Sequence, residues 1–532
     1  MQVIKIFMLK NQTMQDWLKI PLWLKTLIVL SILLGIFFRF YNLELKVYSF
    51  DETFTSTYMY GQHTKAFNNF DGAVLSVSDI QKYLFIDPDK SLIQSIQQVL
   101  SKIYVFPPLY PVLGLIWSYL FSFFSHDSLT IQRSFSAFLS LLSLVGIYWL
   151  GIELFESKIS ASVAVAIAAI SPFHLQYAQV IRPYSILIAA TAFSSACLLR
   201  AIHKKIKIWW IFYALSVALG LYANVLFGFV LVAHTGYLFI TEKFRITERL
   251  IAYLTSVGIG TLVFMPWFVT FLTANALEYS VDQVSERESW MGLIKAWSRA
   301  IQGVFVDVYN PWFSSNLFRV FQAALAPIVL TIVAVSIYRL CRETSGKIRT
   351  FLLALAIASG VSLMLKDLIM GSAITTRLRY LIPFVLSTEL MVAYYIGRLL
   401  STKQTFSRKV GQFALSILII GGMASCLIIS QARSWTAFGS PHFPKTADII
   451  RQANHPLVVV THLDRAFSMS YLVDKDTSFK LLQKTTTIPE SFSTIFLLEP
   501  STDIFDKLKE KYKIKTIDEK GELFQVKPLN RI

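Results

Sequence analysis

The sequence contains few charged residues. Only 16% of its 532 residues are charged, whereas 54% are apolar; soluble domains are usually about 25% charged. The apolar residues fall into repeated blocks of about 17 to 24 residues, the length a helix needs to cross roughly 30 Å of hydrocarbon. This pattern excludes an ordinary soluble globular protein and predicts a polytopic membrane protein.

Cysteine is also scarce. The three cysteines, Cys197, Cys341 and Cys426, are far apart and lie within or beside apolar blocks. They have no metal-ligand spacing and suggest no disulfide framework. A glycine-rich phosphate loop after a strand is missing too, so no nucleotide-sugar site is predicted. No internal repeat of the kind common in transporters is evident.

The basic residues concentrate in short loops. The net charge is +17, and its clusters lie at 203–207, 243–249, 339–349 and 398–409 between apolar blocks. Cationic loops are retained on the cytoplasmic side, so this distribution indicates topology rather than nucleic-acid binding. Lysines precede the first block, 23–41, and no small-residue cleavage site follows it. The sequence therefore predicts a retained first span with a cytoplasmic N-terminus.

The charge bias divides the chain into two parts. A transmembrane domain is expected over residues 1–430, with two long polar stretches, 42–106 and 273–319, as outer loops. A hundred-residue tail, 431–532, would then be a small extracytoplasmic domain in a protein of the plasma (inner) membrane.

The apolar segments conflict at one place. Three of them, 107–125, 133–153 and 159–177, lie between two regions that should both be outside. Three crossings would change sides, so one segment must be re-entrant or fail to cross. About eleven crossings are predicted rather than twelve.

The outer loop and the tail have patterns of their own. Phe54 to Phe67 and Ser91 to Val105 place apolar residues at helical spacing among polar ones, which predicts amphipathic helices lying in the membrane interface. The tail combines short buried-strand patterns with helical ones and is expected to be α/β. Its predicted strands are at 457–460 and 493–498, and its helices at 445–452 and 502–511. The fold class is therefore all-α and polytopic, with a small C-terminal α/β domain.

Asp51 and Glu52 are the clearest polar feature. They follow the first span by about ten residues and are flanked by aromatic residues. Adjacent carboxylates beside a membrane suit general-base catalysis or the binding of a divalent cation. The alternative is an ordinary helix start, where acidic residues are also favoured.

Two further segments lie at the outer ends of apolar blocks. Tyr110 follows Pro107 and Pro108, a position at which tyrosine can lie at the level of the lipid head groups. The alternative is a purely structural role, in which these residues only fix how the chain enters the helix. Arg182 and Tyr184 belong to a polar island between two blocks. An arginine at such an edge either snorkels to the interface or faces a cavity that holds an anion.

A cationic run occurs where few cations are expected. Arg377, Arg379 and Tyr380 lie at the outer end of a span, although the charge bias predicts few arginines there. Cations on this side need an anionic partner, and a lipid phosphate is the natural one. Snorkelling is the alternative reading.

Taken in order, these motifs resemble one family. They run as follows: Arg39 … Tyr41 … Leu43 … Asp51-Glu52, Pro107-Pro108-Leu109-Tyr110, Arg133 to Ala137, Tyr148 to Phe155, Ser171 to His174, Tyr177 to Gln179, Arg182 to Tyr184, and Arg379 to Pro383. Over roughly residues 20 to 400 the chain is similar to GT-C glycosyltransferases of the protein O-mannosyltransferase and aminoarabinose-transferase type in bacterial membranes.

The resemblance implies roles for the polar residues. An acidic residue of the first outer loop acts in that family as catalytic base or orients the acceptor, which corresponds to Asp51 with Glu52 beside it. Arginine and tyrosine near the outer ends of later spans contact the carrier phosphate. These correspond to Arg182, Tyr184, Arg377, Arg379 and Tyr380. The chain departs from the family pattern at Phe106, at Val180 and Ile181, and at Asn224.

The function expected on these grounds is sugar transfer. The donor would be a polyprenyl-phosphate-linked sugar, the acceptor a protein, lipid or glycan on the extracytoplasmic face, and the reaction inverting. No cofactor is expected apart from a divalent cation near Asp51 and Glu52, and no nucleic acid. A lipid-linked polysaccharide polymerase or ligase and a lipid flippase or transporter are the alternatives.

Overall fold

A computed structural model gives the three-dimensional structure of most of the chain. The described residues are 20–62, 70, 72–102, 105–124, 127–204, 206–274, 288–310, 314–344, 346–435, 441–482, 487–489, 491–518 and 522–528. The lysines before residue 20, the end of the predicted helix over Phe54 to Phe67, and parts of the loop 273–319 lie outside these ranges.

Most of the described residues are helical. The helices are α1 (Leu22–Phe40), α2 (Phe50–Met59), α3 (Val77–Gln81), α4 (Leu92–Lys102), α5 (Leu109–Phe121), α6 (Ser128–Phe155), α7 (Lys158–Ala169), α8 (Pro172–Ala178), α9 (Tyr184–Lys204), α10 (Ile208–Ala223), α11 (Phe227–Thr241), α12 (Glu248–Thr273), α13 (Trp290–Phe305), α14 (Asn316–Glu343), α15 (Gly346–Ala356), α16 (Ser362–Met370), α17 (Ile382–Ser401), α18 (Thr405–Gln431), α19 (Phe443–Ile450), α20 (Leu463–Ser470) and α21 (Thr502–Lys509).

The membrane part is a bundle of long apolar helices. Within the described residues, eight helical segments are long and apolar enough to span a bilayer, counting α15 and α16 as one. The bent pair α7 and α8 makes nine. The shorter apolar helices α10 and α11 would bring the number to eleven if both cross. The predicted membrane class is confirmed, and the count of eleven stays a prediction.

The apolar segment 107–125 is the one that does not cross. Its helix α5 has only 13 residues, a length of about 20 Å. Near its end, the Ser118 hydroxyl lies 3.2 Å from the Tyr60 hydroxyl, which is also 3.2 Å from Ser128 at the start of α6. Near its start, Phe106 packs on Tyr58 at 5.5 Å between ring centroids. Both ends of α5 therefore contact the first outer loop, which removes the conflict in the sequence.

The segments 133–153 and 159–177 are both long and apolar enough to cross, the second one as a bent pair of helices. At the far end of α6, Glu153 accepts a hydrogen bond of 2.6 Å from Arg200, beside the basic loop 203–207. The return span breaks between α7 and α8, which meet at an angle of 59°. Pro172 begins α8, because proline is tolerated in a first helical turn but interrupts a helix interior.

The tail is an α/β unit, as predicted. Its strands are β2 (Leu457–Val460), β3 (Ser478–Leu481), β4 (Ile495–Leu498), β5 (Tyr512–Thr516) and β6 (Leu523–Pro528). Strands β2, β3 and β4 run parallel, while β6 pairs antiparallel with β4 and with β5. The helices α20 and α21 pack on opposite faces of the sheet, α20 against Val458 and α21 against Val459.

The first outer loop completes this sheet. Strand β1 (Val74–Ser76) pairs antiparallel with β3, and Val74 lies opposite Lys480. The six strands are ordered β1-β3-β2-β4-β6-β5. Nearby, the Val47 amide donates to the Arg433 carbonyl at 2.7 Å. The boundary predicted at residue 431 therefore does not separate two independent units, because strand β1 of the loop belongs to the same sheet as the strands of the tail.

Helix α2 differs from its predicted setting. It begins at Phe50, four residues earlier than expected, because Ser49 and Glu52 form a capping box there. Most of its residues are buried, and it contacts α5 and α20. The expectation of an amphipathic helix lying in the membrane interface is wrong for α2, which packs inside the outer layer. Helix α4 is amphipathic and exposes Ile93 and Leu100.

Candidate functional site

Asp51 lies at the centre of a cationic cluster. The capping box places it in the first turn of α2. Its carboxylate forms an ion pair with Arg379, which is 328 positions later in the chain. The Arg182 Nη2 atom lies 3.9 Å from the other carboxylate oxygen. The three side chains are 24%, 18% and 21% exposed, respectively. The structure therefore brings these three predicted site residues together in a partly open position.

Arg182 is held by α2 itself. Its Nη1 donates to the Thr55 hydroxyl at 3.0 Å and to the Asp51 carbonyl at 3.3 Å. Its guanidinium also lies over the Tyr184 ring, 5.8 Å from the centroid. Arg379 lies over its neighbour Tyr380 in the same way, at 5.3 Å. Aromatic faces stabilise cations, so both predicted tyrosines support the arginines.

The two arginines retain hydrogen-bonding capacity. The Nε atoms of Arg182 and Arg379 are buried, and no hydrogen bond reaches either of them from the described part of the chain. A buried donor without a partner is costly. The exposed part of each guanidinium can still bind an anion, because arginine binds phosphate through several N–H groups.

The cluster keeps Asp51 charged. Burial raises the pKa of this carboxyl, but the positive charges of Arg182 and Arg379 outweigh burial, and Arg377 adds to them. The net result is a pKa below the ordinary value. Arg377 itself is exposed at the end of a short turn, Ile374–Thr376.

Glu52 is not part of the open cluster. It is fully buried and forms a bidentate pair with Arg133, with both N–O distances at 2.9 Å. It also accepts hydrogen bonds from the amide and hydroxyl of Ser49, both at 3.0 Å, and from the Ile181 amide at 3.1 Å. With five donors and no exposure, its carboxylate has no capacity left for a substrate. The expected catalytic role of Glu52 is wrong in this geometry.

Tyr110 is also removed from the site. It is 1% exposed, its hydroxyl bonds the Ser136 hydroxyl at 2.7 Å, and its ring packs on Phe135. The structural alternative is therefore the correct one, because Tyr110 joins α5 to α6 and reaches no open surface.

The residues missed by sequence reasoning are buried cations. Arg133 donates to the carbonyls of Leu43, Lys46 and Val47 as well as to Glu52. Arg39 donates to the carbonyls of Ala168 and Ala169 at the break between α7 and α8. A charge inside an apolar block is expensive unless it is paired. That rule could have predicted that Arg133 has an acidic partner, although not that this partner is Glu52, since Asp127 is nearer in the sequence.

A divalent cation between Asp51 and Glu52 does not suit this arrangement. Each carboxylate already faces guanidinium groups, Arg379 and Arg182 for the first and Arg133 for the second. A metal ion would have to displace these cations and would be repelled by them. The geometry therefore favours an anion, not a cation, as the occupant of the open cluster.

Comparison with known proteins agrees with this fold. Residues 107–269 match the model of the dolichyl-phosphate-mannose-protein mannosyltransferase family. The structure is similar to that of ArnT from Cupriavidus metallidurans bound to undecaprenyl phosphate, with a TM-score of 0.56 and 12% identity, over 96% of this chain and 98% of that one. Apo ArnT from the same organism matches with a TM-score of 0.53 and 11% identity, over 95% of this chain and 97% of that one.

These matches identify the class of protein. The chain is a multi-pass membrane protein with the GT-C fold, and the resemblance to GT-C glycosyltransferases inferred from its motifs is confirmed. No protein with a curated function matches the sequence significantly.

Proposed function

We propose that this protein transfers a sugar from a polyprenyl-phosphate carrier to an acceptor hydroxyl on the extracytoplasmic side of the plasma membrane. The observation that carries the proposal is the cluster of Asp51 with Arg182 and Arg379, a carboxylate and two guanidiniums in one partly open position. The similar ArnT structure holds undecaprenyl phosphate, which supports a lipid phosphate as the anion.

The arginines would act on the leaving group. A sugar phosphate leaves slowly unless the charge that develops on its phosphate oxygens is stabilised. Arg182 and Arg379 can share that charge, since both guanidiniums lie beside Asp51 with side chains that are partly exposed. The rings of Tyr184 and Tyr380 lie against the guanidiniums of Arg182 and Arg379, respectively, and stabilise their charge.

Asp51 would act on the acceptor. It is paired with Arg379, and its pKa lies below the ordinary value. An incoming phosphate competes for the same guanidiniums, which weakens their hold on Asp51 and raises its proton affinity. The acceptor oxygen then bonds to the anomeric carbon, the bond from that carbon to the phosphate oxygen breaks, and the acceptor proton passes to Asp51. A single displacement of this kind inverts the anomeric configuration.

The proposal is tested with membranes that contain the full chain. Polyprenyl phosphates carrying radiolabelled hexoses or pentoses are supplied one at a time, and both labelled glycoside and free polyprenyl phosphate are measured. Formation of both in equal amounts supports the proposal. Movement of intact labelled lipid across the membrane without a new glycosidic bond would instead identify a flippase. Label that accumulates only as lengthening lipid-linked glycan would identify a polymerase.

A further inference from the structure

A second polar cluster lies in the outer domain, away from Asp51. The His442 Nε2 atom is 2.8 Å from Glu499 Oε1 and 3.0 Å from Glu522 Oε2. The three ligand atoms lie within 4.8 Å of one another. The side chains of His442 and Glu499 are 12% and 18% exposed, and that of Glu522 is 35% exposed, so the cluster lies near the surface of the outer domain.

The fold builds this cluster at a place suited to ligands. Glu499 directly follows β4, and Thr461 directly follows the parallel neighbour β2. The helices after these two strands, α20 and α21, pack on opposite faces of the sheet. When the chain leaves two adjacent parallel strands toward opposite faces of a sheet, a crevice opens at the carboxyl ends of those strands. Ligands of α/β domains bind in such crevices.

Three separate segments converge there. The register of β4 with β6 pairs Leu498 with Leu523 and so brings Glu499 beside Glu522. His442 comes from the start of α19, just after the chain leaves the membrane helix α18. Glu499 has a positive φ of 40°, a conformation that non-glycine residues adopt at a cost and often at functional sites.

The two carboxylates compete for one imidazole nitrogen. A single imidazole N–H can point at one of them only, although both approach the same nitrogen. The Glu522 Oε2 atom is inaccessible to solvent, and none of the described residues gives it a hydrogen bond. Like charges this close are unfavourable unless a cation lies between them. Imidazole nitrogen with carboxylate oxygen is the donor set of zinc and similar transition metals, whereas calcium and magnesium prefer oxygen alone.

Arg465 would orient the site. Its Nε donates to Glu499 Oε2 at 2.5 Å, which leaves Oε1 directed at His442. Hydrogen bonds of this kind to the second oxygen of a ligand are typical of metal centres. The Arg465 guanidinium also lies over the ring of Phe50, 5.1 Å from its centroid, and Phe50 precedes Asp51. Two residues, Arg465 and Phe50, thus connect the cluster to Asp51.

We propose that His442, Glu499 and Glu522 bind one zinc-type divalent cation at the crevice of the outer domain. Ligands in tetrahedral zinc sites are about 3.3 Å apart, given metal–ligand bonds of about 2.0 Å. The two distances from His442 Nε2 to the carboxylate oxygens, 2.8 and 3.0 Å, therefore need to widen by only a few tenths of an ångström. Three protein ligands leave the fourth position to water or to an incoming oxygen ligand. The ion ties the start of the outer domain to its sheet and fixes Arg465 against Phe50.

The test uses the purified full chain in detergent after treatment with a chelator. Zinc is added alone, bound metal is measured by mass spectrometry, and Tm is measured with and without it. One zinc per chain, a higher Tm and visible absorption bands of a tetrahedral site when cobalt replaces zinc are expected. Magnesium at the same concentration should leave Tm unchanged.

Matched variants locate the metal. Glu522→Gln and His442→Ala should each lower zinc affinity by at least about tenfold, whereas His455→Ala should retain one zinc, because His455 is 81% exposed and pairs only loosely with Asp476. Wild-type protein that binds no zinc, or His442→Ala protein that binds it equally well, overturns the proposal. Zinc without effect on Tm, combined with a lower Tm for His442→Ala, would show that the cluster is an ion pair only.

Discussion

Asp51 and Glu52 are neighbours in sequence, and both pair with arginine, but their surroundings are opposite. Glu52 is fully buried and receives five hydrogen bonds, two of them from Arg133. Asp51 is 24% exposed, and its arginine partners each keep a donor without a hydrogen bond from the described residues. A complete set of partners makes the first pair a structural brace, and an incomplete one leaves the second pair able to bind a ligand.

The largest effect should come from breaking the brace. Glu52→Gln removes the charge that compensates Arg133, and breaking a buried pair on one side costs about 3–5 kcal/mol. We expect a strongly lowered Tm and poor recovery of monodisperse protein in detergent. Asp51→Asn is the matched control and should fold normally. Equal stability of the two variants would contradict the distinction between brace and site.

The next effect concerns catalysis. Asp51→Asn keeps the size of the side chain but cannot accept the proton, so transfer from the lipid-linked donor should fall by about 10²–10³-fold. The measurement is the rate of labelled glycoside formation in membranes at equal protein level. Asp89→Asn, an exposed acid of the same loop, should leave the rate unchanged. Full activity of the Asp51 variant would remove it as the base.

Binding of the lipid should be affected less. Arg379→Gln removes one charged donor from the phosphate, and such hydrogen bonds contribute about 1.5–3 kcal/mol. We expect undecaprenyl phosphate to bind about 10- to 100-fold more weakly, as measured by native mass spectrometry. Arg319→Gln, an exposed arginine at the start of α14, provides the comparison. Equal binding by both variants would argue against an anion at Arg379.

Arg379→Gln should also change how the transfer rate depends on pH. The arginines hold the pKa of Asp51 below its ordinary value, so the charged form persists as the pH falls through the usual carboxyl range. Removing the Arg379 charge raises that pKa. The acid limb of the residual transfer rate should therefore move to higher pH in Arg379→Gln, and an unmoved limb would show that another group sets it.

The smallest effect is expected at Tyr110. Tyr110→Phe removes the bond to Ser136, which should cost about 1 kcal/mol of stability and leave transfer unchanged. A large loss of transfer activity at normal stability would indicate instead that Tyr110 contacts the substrate.

The sequence predicted the cluster around Asp51 better than the buried pair of Glu52 with Arg133. Asp51, Arg182 and Arg379 were recognisable because charged residues at the outer ends of spans require an explanation. The role of Glu52 could not be predicted in this way. A glutamate three residues after a serine fits a capping box, a buried ion pair or a catalytic acid equally well. The separation of Glu52 from Asp51 follows from Arg133, whose position opposite α2 depends on the packing of α6.

The outer layer shows the same limit. The periodicity of the tail predicted β2 and β4 nearly to the residue, because buried strands leave a continuous apolar pattern. Strand β1 has only three residues and no such pattern, so the union of loop and tail was not predictable. The failure of α5 to cross was likewise hidden, since its composition matches that of a short span.

The sheet shared by loop and tail also constrains biogenesis. Strand β1 and its partner β3 are roughly 400 residues apart in the chain, so the first loop can adopt its final pairing only after nearly the whole protein has been synthesised. Pairings this distant form late and slowly. A ribosome-bound or truncated chain lacking the tail would therefore have its spans inserted while strand β1 still lacks its partner β3.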